Sequence, residues 1–257
     1  MKNPRSPILE VWADSFREGE WFLQELATRH YDKHFSTELR HCFQPVYTFG
    51  PKEDPRFIAE VYGDYKSWSN VPRAVKSILG YGKPDIIAYD PLSDKVLMCV
   101  EETAAVPTGN QSLQRLERVW FAAKSRFPFV YLIGEYGLHK DGGIRRSSIW
   151  PTYLALKLSS QFKVVSLTLL YGSPSAPENY QVGSGQARLA DFSNLIFLEW
   201  LGSDVREAKR RLLRQIFEEM VAFVRSQMNE IATYLPGSDM ISSDAFLNFL
   251  VERATSE

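Results

Sequence analysis

The run "FVYLIG" at residues 129–134 carries no charge and almost no polar group. A strand buried on both faces reads this way, because a half-exposed strand alternates apolar with polar. "KVVSLTLLYG" at 163–172 has the same character. Such strands need helices above and below them. The expected fold is therefore α/β, a mixed central β-sheet flanked by helices.

The remaining elements fit that frame. Residues 8–31 place Ile8, Val11, Trp12, Phe16, Trp21, Phe22 and Leu26 at helical spacing, with a break expected near Gly19. "FIAEVYGDY" suits either helix or strand, and "NVPRAVKSILGYG" reads as a short helix started by Pro72 and stopped by Gly80 and Gly82. "PDIIAYD" and "KVLMCVEE" are strand-like runs joined by the turn sequence "PLSD". "PTGNQSLQRLERVWFAAKSRF" is helical, with Leu113, Leu116, Trp120, Ala123 and Phe127 on one face. "IWPTYLALKLSSQF" is a further helix, and residues 172–186 form a long loop. The stretch 203–235 is a long amphipathic helix, apolar at Val205, Ala208, Leu212, Ile216, Met220, Phe223 and Met228.

One elaborated domain over 1–257 is expected: a core at about 57–171, a helical N-terminal region at 1–56, and a C-terminal loop and helices at 172–257. Lys+Arg 30 against Asp+Glu 31 gives a net charge of -1, so any nucleic-acid surface must come from local clusters. Two cysteines, Cys42 and Cys99, give no disulfide framework. The N-terminus has no apolar signal segment and no run is long enough to span a membrane, so a cytoplasmic chain without a membrane partner is expected.

The acids of the hairpin carry the chemistry. Asp85 heads one strand, and Glu101 and Glu102 end the next. Opposed residues on paired strands have Cβ atoms about 4.5–5.5 Å apart. Asp85 therefore converges with one of the glutamates, and the parity of the pairing decides which. Like charges so close repel, and a divalent cation relieves the repulsion. Oxygen-only ligands suit Mg²⁺. The following helix begins with Thr108 and Gln111 as a capping box, with Gly109 and Asn110 between them. Its N-terminal N–H groups favour an anion, and Asn110, Gln111, Gln114, Arg115 and Arg118 could hold a phosphate. A solvated polar face would explain the same residues.

Pro84-Asp85, an apolar strand ending in Glu101-Glu102-Thr103, and a helix bearing Gln and Arg together resemble the PD-(D/E)XK nuclease superfamily, type II restriction endonucleases in particular. The resemblance covers about residues 83–135 and extends loosely to the strand at 163–171. It implies a restriction-endonuclease-like sheet and Mg²⁺-dependent cleavage of double-stranded DNA, with Mn²⁺ as a substitute. It implies Asp85 and an acid at 101 as metal ligands and the carbonyl of Glu102 as a third. It also implies a glutamate from an upstream helix, for which Glu60 is the candidate, and a motif glutamine matched by Gln114. The family's lysine falls at position 103, where this chain has Thr103. Arg115, Lys124 or Lys83 could supply the missing cation. Alternatively the chain is an inactive DNA-binding or scaffold protein of the same fold. Cleavage at a symmetric site favours a homodimer, and helix 203–235 could form its interface or pack on its own sheet.

Two other patterns bear on function. "HKDGGIRRSS" is a basic, glycine-rich loop from which Arg145 or Arg146 could reach a DNA groove or phosphate. His30 and His34 stand four apart, as zinc ligands on a helix do, but "HYDKH" lacks the metalloprotease glutamate.

Overall fold

A computed structural model of the chain describes residues 6–32, 34–63, 71–103, 115–138, 142–177, 179–227, 248–249 and 251–252. In chain order its elements are β1 (Ile8–Ala13), α1 (Phe16–His30), β2 (Phe35–Leu39), β3 (Pro45–Phe49), β4 (Phe57–Tyr62), α2 (Arg73–Leu79), β5 (Ile86–Asp90), β6 (Lys95–Thr103), α3 (Leu116–Ser125), β7 (Phe129–Gly134), β8 (Tyr136–Leu138), β9 (Ile144–Arg146), α4 (Trp150–Phe162), β10 (Ser166–Tyr171), α5 (Gly185–Trp200) and α6 (Arg206–Gln227). Eight strands form one mixed sheet in the order β10-β7-β6-β5-β1-β4-β3-β2, and β8 pairs with β9 alone. The expected α/β architecture, a mixed sheet flanked by helices, is what the chain adopts.

The sheet separates two cores because side chains alternate along each strand. Leu9, Val11, Ala13, Ile86 and Val100 pack on one side with Phe22, Leu23 and Leu26 of α1, Phe192 and Phe197 of α5, and Leu213, Ile216 and Phe217 of α6. Trp12, Ile87, Tyr89, Cys99 and Tyr131 pack on the other with Val75 and Ile78 of α2 and Val119, Ala122 and Ala123 of α3. Each such Leu, Val or Phe contributes about 1.5–3 kcal/mol when fully buried.

β6 lies between β5 and β7, antiparallel to the first and parallel to the second. The expected hairpin forms around the predicted turn. Asp90 closes it, accepting from the Leu92 N–H at 3.0 Å and from the Ser93 hydroxyl at 2.5 Å.

Several expectations need correction. Residues 8–13 are a strand, parallel to β4 and antiparallel to β5, rather than the start of a helix. α1 then runs through Gly19 without a break, and a Cβ at Gly19 would collide with Val61 Cγ1. The glycine lets the helix lie close on β4. Among the described side chains of α3, Val119, Ala122 and Ala123 are buried, while Trp120 is 49% exposed. Helix α5, with Leu189, Phe192, Ile196 and Phe197 buried, begins within the last residues of the expected 172–186 loop. The apolar side of α6 packs within its own chain, with Leu213, Ile216, Phe217 and Met220 in the core. Met228, Leu113, Asn110, Gln111 and Gln114 lie outside the described residues. Among the described residues no helix is long and apolar enough to cross a membrane.

Candidate functional site

Asp85 sits just before β5, where three elements meet. β1 ends beside it, and the Asp14 N–H donates to the Asp85 carbonyl at 3.1 Å. Two residues on, α1 begins with a capping box. The Glu18 N–H donates to Ser15 Oγ, and the Ser15 N–H donates to Glu18 Oε2 at 2.9 Å. The end of β6 lies on the other side, where the Glu102 N–H donates to Asp85 Oδ2 at 2.6 Å.

A β-bulge settles which glutamate opposes Asp85. Asp90 pairs with Lys95 and Tyr89 with Val96, but Ala88 then pairs with Met98, leaving Leu97 as the extra residue. Ile86 is thereby opposite Val100, and continuing that register places Asp85 opposite Glu101. Without the bulge Asp85 would have faced Val100, and the parity would have favoured Glu102. Alternation sends Glu101 to the α3 side with Cys99 and Tyr131, and Glu102 to the α1 side.

The two glutamates have different surroundings. The Glu101 side chain is 0% exposed and both its oxygens are held by arginine. Arg115 Nη1 donates to Oε1 at 2.6 Å, and Arg118 Nη1 donates to Oε2. Arg115 Nη1 also donates to the Glu102 carbonyl at 2.6 Å. Gly82 makes room for this arrangement, since a Cβ there would lie 2.6 Å from Arg118 Cγ. Burial pushes the Glu101 carboxyl up to about 7, the Asp85 charge adds to the rise, and Arg118 and Arg115 oppose it. Asp85 is pushed up to about 6, chiefly by burial, against the pull of the Glu102 N–H and the two arginines.

Glu102 faces an open cleft of about 910 Å³ at the N-terminal end of α1. Asp85, Glu18, Glu25, Trp21 and Tyr180 line it too. The Tyr180 hydroxyl donates to Glu102 Oε1 at 2.5 Å, and its ring stacks on Tyr171 at 4.4 Å. Glu18, Asp85 and Glu102 are electrostatic neighbours. Burial raises all three, and repulsion adds to it: Asp85 acts on Glu18, Glu18 on Glu102, and Glu102 on Asp85. Mutually raised carboxylates in a cleft are common at functional sites.

These contacts decide which groups could take a cation. Glu101 and the Glu102 carbonyl, two of the ligands implied by the resemblance, are already held by guanidinium. Among the described residues no three Asp, Glu, His or Cys side chains form a ready cage. A magnesium-like ion needs only one or two carboxylates beside water and phosphate oxygens. Asp85 and Glu102, which share the cleft, supply that pair, with Glu18 next to them.

The other named residues fall in several places. Glu60 is on strand β4, not on a helix, and Arg40 Nη1 donates to it at 2.5 Å. Register pairs Glu60 with Glu10, and Glu10 with Tyr89, which puts it two strands from β5 and four residues up the sheet from Asp85. The helical glutamate beside Asp85 is Glu18. Its signal was the Ser15-x-x-Glu18 capping box, hidden by the reading of residues 8–13 as helix. Thr103 is buried on β6, and its carbonyl accepts the Tyr171 hydroxyl at 2.9 Å. Lys83 is exposed in the turn before β5, and Lys124 is exposed on α3. Arg145 is exposed on β9. Arg146 is bound at home: its Nη2 lies 2.6 Å from Glu135 Oε1, its Nη1 donates to Ser226 at 2.9 Å, and it stacks over Phe223. His30 ends α1 and pairs with Asp191, whereas His34 lies beyond the helix, so the two do not share a helical face.

No protein-family model, no curated protein and no solved structure matches the chain.

Proposed function

We propose that the chain is a metal-dependent endonuclease acting on double-stranded DNA, in the manner of a sequence-specific type II restriction enzyme. The observation that carries this reading is the meeting of Asp85, Glu102 and Glu18 at one cleft, with Arg115 and Arg118 gathered at the end of the same strand pair. When bound at Asp85 and Glu102, Mg²⁺ supplies an activated water and charge stabilisation at the phosphate. Glu18 holds the edge of the site through its capping box, next to Asp85. Arg115 and Arg118 are always charged and planar, so they suit a phosphodiester oxygen pair. Arg115 donates to the Glu102 carbonyl, one residue from the position of the absent motif lysine, and no covalent enzyme intermediate is needed.

The reading is tested by incubating supercoiled plasmid with the protein and Mg²⁺, with EDTA as control. Discrete, EDTA-sensitive fragments are expected, and Asp85→Asn should yield none while remaining folded. An intact plasmid across a panel of sequences would overturn it.

A second reading is an inactive DNA-binding or scaffold protein. Thr103 in place of lysine favours it, as does the closed pairing of Glu101 with two arginines. It predicts a gel shift without cleavage under every metal condition.

A further inference from the structure

Tyr131 is the buried polar group at this site that the proposed chemistry leaves without a role. It stands on β7 directly beside Glu101 in the parallel register between β6 and β7. Both side chains point to the α3 side of the sheet. Tyr131 is 2% exposed, and among the described residues its hydroxyl has no hydrogen-bond partner. Such a group destabilises the protein that carries it, and phenylalanine would fill the same space without that penalty. Burial raises the proton affinity of the phenol, Arg115 and Arg118 lower it and Glu101 and Asp85 raise it, with burial the largest influence, so it remains a donor.

The Glu101 carboxylate depends on its two guanidinium partners. If these turned toward a phosphate, a fully buried charge would be left bare, which is strongly unfavourable. A neutral donor on the adjacent strand removes much of that penalty, because hydrogen bonds to a carboxylate are among the stronger ones.

We propose that Tyr131 is a positioning residue: its hydroxyl takes hold of Glu101 when Arg115 and Arg118 leave that carboxylate for a phosphate of bound DNA. The proposal rests on the DNA reading above. It also explains why the hydroxyl makes no bond to Glu101 while the arginines occupy both carboxylate oxygens.

The test is Tyr131→Phe, compared with wild type in Ca²⁺, with a mixed-sequence duplex at low salt as the probe. Backbone contacts do not require a recognition site. The thermal midpoint of the free protein should be unchanged or higher. Duplex affinity, measured by fluorescence anisotropy, should fall about tenfold, which is one hydrogen bond's worth. In wild-type protein labelled at tyrosine Cζ, the resonance missing from the variant should shift when duplex is added. If wild type binds no duplex, the DNA reading fails and takes this inference with it. If wild type binds and the variant binds equally well with no Cζ shift, the DNA reading stands and Tyr131 has no such role. A midpoint several degrees lower in the free variant would also overturn the inference, because the hydroxyl would then be bonded before DNA arrives.

Discussion

Replacing Arg118 by methionine isolates the ion cluster on the α3 side of the sheet. Glu101 is fully buried, and Arg118 supplies one of its two counter-charges. Removing one partner of a buried ion pair costs about 3–5 kcal/mol when nothing replaces it. Here Arg115 remains at 2.6 Å, and the Arg118 side chain is 25% exposed, so part of its charge is already solvated. Roughly 2 kcal/mol is the resulting expectation for Arg118→Met. In a chain of this size that lowers the thermal midpoint by about 4–8 °C. Glu101→Gln keeps the shape and removes the charge, so in that background the same arginine change should cost less than half as much. The assay is a double-mutant cycle by urea and thermal unfolding at pH 8, above the Glu101 value of about 7. A coupling of about 1–1.5 kcal/mol is expected. Additivity within roughly 0.5 kcal/mol would mean that Arg118 does not hold a charged Glu101.

Other outcomes follow from the same geometry. Asp85 and Glu101 titrate higher in the folded chain, at about 6 and about 7, than in the unfolded one, so the folded state holds their protons more tightly. Their contribution to stability is therefore largest at acid pH and declines as pH rises from about 4 to 7, by at most about 1.4 kcal/mol per unit for each group. Glu101→Gln should flatten that part of the curve, and an unchanged slope would place the protons elsewhere. Gly82→Ala should displace the Arg118 stem and reproduce most of the Arg118→Met loss, because the added carbon lies 2.6 Å from Arg118 Cγ; a midpoint within a degree of wild type would show that the arginine has room to shift. Glu18→Gln should weaken metal-dependent cleavage at least tenfold, whereas Glu60→Gln, two strands away, should leave it within about twofold. Equal losses in the two variants would remove Glu18 from the site.

Much of the frame was legible because it depends on local composition. β7 and β10 could only be buried strands, and "PLSD" could only be a turn between two apolar runs. β1 was hidden because Ile8, Val11, Trp12 and Phe16 also satisfy a helical period, and only its place between β4 and β5 resolves the choice. Helix α5 starts inside a stretch rich in glycine and serine, which masked its apolar face. That Asp85 and the two glutamates meet was legible from their places at strand ends. Which side of the sheet each glutamate takes was not, since it turns on one extra residue, Leu97, whose bulge has no signature in the letters around it. Glu18 was missed for a similar reason: its capping box has meaning only once β1 has ended at Ala13 and brought α1 to Asp85.

The most direct trial of the acidic cleft is a crystal soaked in Mn²⁺ and measured at the manganese absorption edge. An anomalous peak should stand about 2.1 Å from carboxylate oxygens of Asp85 and Glu102, with Arg115 and Arg118 still closing Glu101 from the other side. A peak on Glu101, with the arginines swung away, would mean that the cation takes the α3 side of the sheet instead. Density with no peak at either glutamate would leave the cleft without a metal and the nuclease proposal without its chemistry.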